Sequence, residues 1–479
     1  MVSDARTHTR NAWLAALAKH AETEALPDSL HSSRTRHYDF ASRDEIRAIQ
    51  DEKLAALTPF LYENSQFYRR RFDRLGLLPI DIQSVEDLSR WPVVTKEEMS
   101  LDADQHPPYG SYLTIGLAEW QDRGWMQFST SGSTGRPRVF RYTHADRQLW
   151  VWANARALHA MGIGRGDAVF LIGGFGPHVW LWGVYETLIQ MRLAVIPGGG
   201  LDGTARARIV ERLQPSVIAC TPSYALYLGR VLQDLGLDPA ASSVRKLFLG
   251  GEPALGIEAT RTRIESLWNA RIVEFYGCTE ASPHVGGFSC PYSARAGQAP
   301  FTHLLEDVQI WETVDGQDYR AVAPGQRGLT VCTSLNSESS PQLRFLVGDY
   351  TTFDRSTCEC GRSHVRALGS FVGRADDVIN LRGVKFFPSQ IEEAIRSVSG
   401  TGDEFEIILD TNDDGLDIMT IRVEHPEHAT PADWHDRIAG AVRSRCEVRA
   451  DVEILAPKTL PKTEFKARRV NDRRVGRRA

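Results

Sequence analysis

The sequence has no apolar run of the roughly 18 residues that a membrane-spanning helix needs. Its opening residues, MVSDARTHTRNAW, lack the hydrophobic stretch of a signal peptide. Cysteine is sparse, seven in 479 residues, and the odd count suits a reducing cytoplasm better than a disulfide framework. A formal charge of −5 is small for this length and argues against a dedicated nucleic-acid binder. No Gly-Lys-Ser/Thr closes the glycine-rich stretch near Thr130, which excludes the phosphate loop of nucleoside triphosphatases. No internal repeat is evident. Membranes and nucleic acids are therefore set aside as partners.

What remains is ordinary globular composition, 42% hydrophobic and 24% charged. The length exceeds the roughly 250–300 residues at which one core stops growing, so at least two domains are expected. The most informative stretch is FSTSGSTGRPR, Phe128 to Arg138. Its glycines let the backbone turn tightly and approach a ligand closely. Successive backbone N–H groups in such a turn form an anion-binding concavity, and the hydroxyls add uncharged donors. A polyphosphate suits it, although a flexible Ser/Gly loop has the same composition.

Helical spacing of Ile46, Ile49, Leu54, Leu57 and Leu61 predicts an amphipathic helix over 43–61, and Ala12 to Ala21 reads as another. Tyr62, Phe67, Tyr68 and Phe72 read as core. Beyond the Ser/Gly loop, short apolar runs alternate with helical stretches. The runs are 168–172, 193–196, 217–219, 246–249 and 271–275, and glycine, proline or polar residues end each of them. Such alternation predicts βαβ units and a largely parallel, buried sheet, with ligands beyond the carboxyl ends of its strands. A β-rich segment follows from Val308 to Phe353, then a polar connector from Gly373 to Gly383. The last hundred or so residues read as a small α+β domain, with the boundary near Asp376. The basic tail beyond Arg469 reads as a solvated end.

Several motifs stand in order along the chain: TSGSTGRPR (130–138), GGEP (250–253), FYGCTE (275–280), VGDY (347–350), GRADDVINLRG (373–383) and LPKTEFKARR (460–469). Together they resemble the adenylate-forming superfamily of acyl- and aryl-CoA synthetases, luciferases and peptide-synthetase adenylation domains. LSRWPVVTKEEM, CECGRSHVR and RGVKFFPSQIEE are similar to the phenylacetate-CoA ligase branch. Two departures stand out: Arg138 where most of the superfamily has lysine, and Phe465 where glycine usually precedes the C-terminal lysine. The implied fold is α/β. A large N-terminal domain (1–375) would carry mostly parallel sheets and a β-rich subdomain, and a small mobile α+β domain (376–479) would follow.

The resemblance also implies roles. Thr130, Ser131, Gly132, Ser133, Thr134 and Gly135 would cradle the ATP phosphates. Thr279 would donate to the α-phosphate and Glu280 would hold Mg²⁺, a hard cation suited to carboxylate and phosphate oxygens. Gly251, Glu252, Pro253, Tyr276 and Gly277 would form the adenine slot, and Asp349 with Arg374 would bind the ribose. Lys466 is the candidate adenylation lysine, with Lys462 as the competitor. Asp376 would be the hinge whose rotation replaces Lys466 by the Arg382-Gly383 region, which would shape a pantetheine tunnel for CoA.

The acyl pocket would be lined by 173–178, including Phe175 and His178, and by Trp180 and Trp182, rings suited to a flat aromatic acid. Cys358-x-Cys360 supplies half of a tetrahedral zinc site. The branch places Cys290 and His303 as the other half, with His284 or His364 as substitutes for the histidine. The expected activity is ATP-dependent conversion of a small aryl or arylacetic acid to its acyl adenylate, then to its CoA thioester. The alternative is an adenylating enzyme of specialised metabolism with another acceptor: a carrier protein, an amine, or nitrite for diazotisation. A homodimer is left open.

Overall fold

The computed structural model describes residues 2–23, 28–130, 138–280, 286–295, 297–412, 416–425, 433–461 and 469–474. It divides into two compact units. The first comprises Met1–Asp167, Phe175–Val195 and Phe275–Leu368; the second comprises Ala168–Gly174, Ile196–Glu274 and Gly369–Ala479.

In the first unit, the helix Arg43–Asn64 begins at a reciprocal cap: Ser42 Oγ accepts from Glu45 N, and Glu45 Oε2 accepts from Ser42 N at 2.8 Å. The helix Gln66–Leu75 stops at Gly76, whose φ of +65° costs no Cβ clash. Its Tyr68 and Phe72 are fully buried, as the spacing predicts. The expected N-terminal helix is longer than its apolar signal, running Val2–Lys19. An antiparallel run continues in the order 309–314, 327–334, 345–354, 366–368, 301–304 and 287–288, ending on Phe275 and Tyr276. A buried ionic knot ties the N-terminal helices to this run. Arg156 binds Asp39 at 2.8 Å and both Asp307 oxygens at 2.7 and 3.1 Å.

In the second unit the expected parallel strands are present. Ala168–Leu171, Val217–Cys220, Lys246–Leu249 and Arg271–Glu274 pair in register, with the helices Gly203–Leu213, Pro222–Asp234 and Glu258–Trp268 interleaved in sequence. Phe170, Ile218, Leu247, Leu249, Ile264 and Trp268 share their core. Residues beyond Asp376 form a smaller core in this unit: Ile391, Ile395, Ile407, Ile421, Trp434 and Ile438 join the helices Pro388–Ser397 and Trp434–Cys446 to a four-stranded sheet.

Two expectations need correction. The connector 373–383 is not without regular structure: Ile379–Leu381 and Val384–Phe386 form a hairpin whose Ile379, Leu381 and Phe386 are buried. Two alternating apolar residues, Ile379 and Leu381, are too short a run to stand out among the charges. The tail beyond Arg469 is not simply solvated either. Val470–Asp472 adds a parallel strand beside Phe405–Thr411, and Arg474 is buried against Asp472 and Asp417. Its charge pattern conceals the strand because the arginines are paired: Arg469 with Glu404, and Arg474 with Asp417 and Asp472.

Candidate nucleotide site and metal centre

The antiparallel strands Gly124–Ser129 and Val139–Thr143 flank the Ser/Thr/Gly stretch in the chain. Thr130 N donates to Arg138 O at 3.0 Å, and Arg138 N donates to Thr130 Oγ1 at 3.1 Å, closing the base of the loop. Ser131, Gly132, Ser133, Thr134 and Gly135 lie outside the described residues, as do Lys462, Lys466 and His284.

The same region reaches the FYGCTE segment at two points. Tyr142 Oη donates to Thr279 O at 2.9 Å. Burial pushes the Tyr142 phenol well up, so it remains a donor. Arg138 Nη2 meets Glu280 Oε1 at 2.7 Å, with both side chains buried. Tyr276, half-buried next to Gly277, donates its hydroxyl to Asp349 Oδ2 at 2.5 Å. Asp349 is fixed in turn because its backbone N donates to Thr330 Oγ1, which donates back to Asp349 O. Thr130, Tyr276, Thr279, Glu280 and Asp349 thus belong to one unit.

The proposed acyl-pocket residues lie close by. Ser129 N donates to Pro177 O at 2.9 Å, joining the start of the phosphate loop to the 175–178 turn. Phe175 meets Trp182 edge-to-face at 4.8 Å between centroids and Tyr185 at 5.9 Å. Trp182 Nε1 donates to Gly176 O at 3.0 Å, holding its ring over the turn. His178 is the residue before the helix Val179–Gln190, and Trp180 is half-buried on it. Tyr185 was not among the expected pocket residues; its spacing of three from Trp182, on one helix face, is the signal for it.

In the second unit, Gly251 (φ +83°), Glu252 and Pro253 follow the carboxyl end of Lys246–Leu249. Glu252 Oε2 accepts from Ser223 N at 3.1 Å and from Ser223 Oγ at 2.7 Å. Glu274, its pKa raised by burial, accepts from Ala254 N and Leu255 N and so pins the turn from the other side. Arg374 lies 3.6 Å from Asp376. Arg382 and Gly383 form the two-residue turn of the 379–386 hairpin, both with positive φ (+53° and +88°).

A second centre lies in the first unit. One ligand atom each from Cys290, His303, Cys358 and Cys360 falls within 4.8 Å of the others. Cys360 Sγ is 3.4 Å from His303 Nε2. His303 Nδ1 donates to His364 O at 3.2 Å, which leaves Nε2 as a lone pair aimed at the thiols. Tyr292 N and Cys360 N point at the sulfurs of Cys290 and Cys358 at 3.4 and 3.5 Å. Hydrogen bonds from the neighbouring thiols Cys290 and Cys358 hold the Cys360 thiol below its usual range. Three sulfurs and one imidazole of this kind fit a tetrahedral zinc ion. The substitute His364 is engaged elsewhere: its ring accepts from Glu306 N and donates to Tyr38 O.

A family model for the AMP-binding enzyme matches residues 119–329, and one for the AMP-binding enzyme C-terminal domain matches 383–474. Together they define the class, an adenylate-forming enzyme. The phenylacetate-coenzyme A ligase of Thermus thermophilus is 30% identical over 452 residues, covering 90% of this chain and 97% of the relative. That of Escherichia coli is 29% identical over 442 residues, covering 91% and 96%. The solved structure of 2-hydroxyisobutyryl-CoA ligase in its postadenylation state, in complex with R3-HIB-AMP, is 29% identical with a TM-score of 0.86, covering 94% of each chain. The thioesterification state of that ligase, with 2-HIB-AMP and CoA, gives 0.69 over 95% of each chain. The chain belongs to the phenylacetate-coenzyme A ligase family and is an AMP-forming acid–thiol ligase that uses ATP and CoA. Among the described residues no helix is long and apolar enough to cross a membrane.

Proposed function

We propose that this ligase activates a small aryl or arylacetic acid and delivers it to CoA. A carboxylate oxygen of the acid attacks the α-phosphorus of ATP, forming the P–O bond of the acyl adenylate as pyrophosphate leaves. The CoA thiolate then attacks the acyl carbon, and AMP leaves with the electron pair of the broken C–O bond. The first step spreads negative charge over phosphate oxygens, so orientation and placed donors supply most of the rate. Thr130 and the rest of the loop bind the phosphates, and Thr279 donates to the α-phosphate. Glu280 is the carboxylate that holds Mg²⁺, which would neutralise phosphate charge when bound. Tyr276 lies against the purine and Asp349 accepts from the ribose hydroxyls. Gly251, Glu252, Pro253 and Arg374 keep the nucleotide roles that the resemblance implies, and Lys466 remains the adenylation lysine. Asp376 remains the hinge, at the boundary between residues 1–375 and 376–479.

The observation that carries this reading is the meeting of motif residues far apart in sequence, Arg138 on Glu280 and Tyr276 on Asp349. The Phe175–Trp182–Tyr185 cluster, one hydrogen bond from the phosphate loop, supports a flat aromatic substrate. Cys290, His303, Cys358 and Cys360 hold a structural Zn²⁺ that fixes the Phe301–Leu304 strand to the 358–364 turn. None of the seven cysteines is in a disulfide, and the cytoplasm is the compartment we infer. The test is a pyrophosphate-release screen over benzoate-, phenylacetate-, cinnamate- and anthranilate-type acids and nitrite, with and without CoA. An aromatic acid should release pyrophosphate and give a thioester only with CoA. Release with nitrite alone, or release without any thioester, refutes the reading.

A further inference from the structure

Arg138 stands at the exit of the phosphate loop with three engagements. Its backbone closes the loop on Thr130. Its guanidinium sends Nη1 to Ser100 Oγ at 3.0 Å and Nη2 to Glu280 Oε1 at 2.7 Å. Arg138 is 7% exposed and Glu280 9%, so the pair is shielded from water. A buried ion pair of this kind is weak evidence for stability, because desolvation offsets most of the attraction. Its geometric effect is the stronger one. A guanidinium is a rigid planar fork whose two terminal nitrogens hold partners in fixed directions, whereas an ammonium is a point charge on a flexible stem.

Glu280 has three rotatable bonds and follows an exposed glycine by three residues, so its own backbone does little to aim it. Mg²⁺ demands near-ideal octahedral geometry, and a carboxylate that wanders binds it poorly. The neighbouring anchor, Tyr142 Oη on Thr279 O, fixes the backbone at this point, and Arg138 fixes the side chain. We propose that Arg138 is the positioning residue of Glu280: it grips Oε1, is braced by Ser100, and leaves Oε2 for the nucleotide-bound cation. This rests on the Mg²⁺ role given to Glu280 above. It also gives a reason for arginine in a place where most of the superfamily has lysine.

The competing role for Arg138 is direct contact with the phosphates, and Mg²⁺ titration separates the two. ATP–pyrophosphate exchange is measured against Mg²⁺ concentration, and against ATP at saturating Mg²⁺, for the wild type, Arg138→Gln, Arg138→Lys, Ser100→Ala and Glu280→Gln. Arg138→Gln should raise the half-saturating Mg²⁺ about tenfold or more while the ATP KM at saturating Mg²⁺ changes by less than about threefold. Arg138→Lys should recover part of that shift, and Ser100→Ala should move the midpoint upward by about two- to threefold. A raised ATP KM with an unmoved Mg²⁺ midpoint assigns Arg138 to the phosphates and overturns the proposal. A lowered midpoint overturns it too, since arginine would then be competing with the cation. Should Arg138→Gln fail to fold, the lysine and Ser100 variants decide, and an unchanged midpoint in both overturns it. Glu280→Gln is the separate control: an unchanged Mg²⁺ midpoint there removes the metal role of Glu280 itself, whatever Arg138 does.

Discussion

The phenolic hydroxyl of Tyr276 donates to Oδ2 of Asp349 at 2.5 Å, joining residues 73 positions apart. The contact puts the ring assigned to the purine beside the carboxylate assigned to the ribose. A hydrogen bond to a charged group contributes about 1.5–3 kcal/mol, so losing the carboxylate should cost ATP binding roughly 10- to 100-fold. Asp349→Ala should raise the ATP KM by that factor. Tyr276→Phe keeps the ring and loses only the tether, and should cost about tenfold or less. Equal, negligible effects in pyrophosphate exchange would remove both residues from the nucleotide site.

The Cys290–His303–Cys358–Cys360 cluster predicts about one zinc per chain by elemental analysis of the purified protein. Chelation, or Cys360→Ser, should release the metal and lower the melting midpoint by about 5 °C or more. Kinetic constants of the remaining folded enzyme should hold, because the cluster pins a strand to a turn and touches no candidate nucleotide residue. Protein isolated without metal and melting identically to Cys360→Ser would rule the site out.

Lys53 is fully buried, donating to Asp307 O at 2.6 Å and to Asn336 Oδ1 at 3.0 Å. Burial lowers its pKa from 10.5 to about 8. Below pH 8 the ammonium is charged in both the folded and unfolded chain, and its desolvation cost is fully felt. Between pH 8 and 10.5 the folded chain binds fewer protons than the unfolded one, so this group's contribution to stability rises with pH. The full difference is about 3 kcal/mol at 1.36 kcal/mol per pKa unit. Denaturation of the wild type and Lys53→Met across this range should show the wild type gaining on the variant; a constant gap contradicts the burial argument.

Asp403 gathers three guanidinium groups in the second unit. Arg230 Nε lies at 2.5 Å, Arg263 Nε at 2.7 Å and Arg396 Nη1 at 3.4 Å. Nearby, Glu393 accepts from Ala259 N and Glu392 from Thr260 Oγ1, so the start of the Glu258–Trp268 helix is held by the Pro388–Ser397 helix. Asp403→Ala leaves three like charges facing one another and should destabilise the unit by about 3–5 kcal/mol. Hydrogen exchange in 222–234, 258–268 and 388–397 should rise together. Unchanged exchange in all three stretches would show that the cluster adds little to the docking.

Much of this was legible in the chain. Short apolar runs ended by glycine, proline or polar residues mark the parallel strands of 168–276, because a strand buried on both faces must be apolar along its length. The Ser/Thr/Gly loop, the acids Glu280 and Asp349, and the thiol pair at 358 and 360 are each local in sequence, and the sequence alone named them. Tertiary structure decided which side chains meet. It set Arg138 on Glu280 across 142 residues, brought Cys290 and His303 within 4.8 Å of the thiol pair, and turned Val470–Asp472 into a strand. Spacing encodes what repeats along one helix or strand, whereas a pairing between distant segments exists only once the intervening chain has closed its loops.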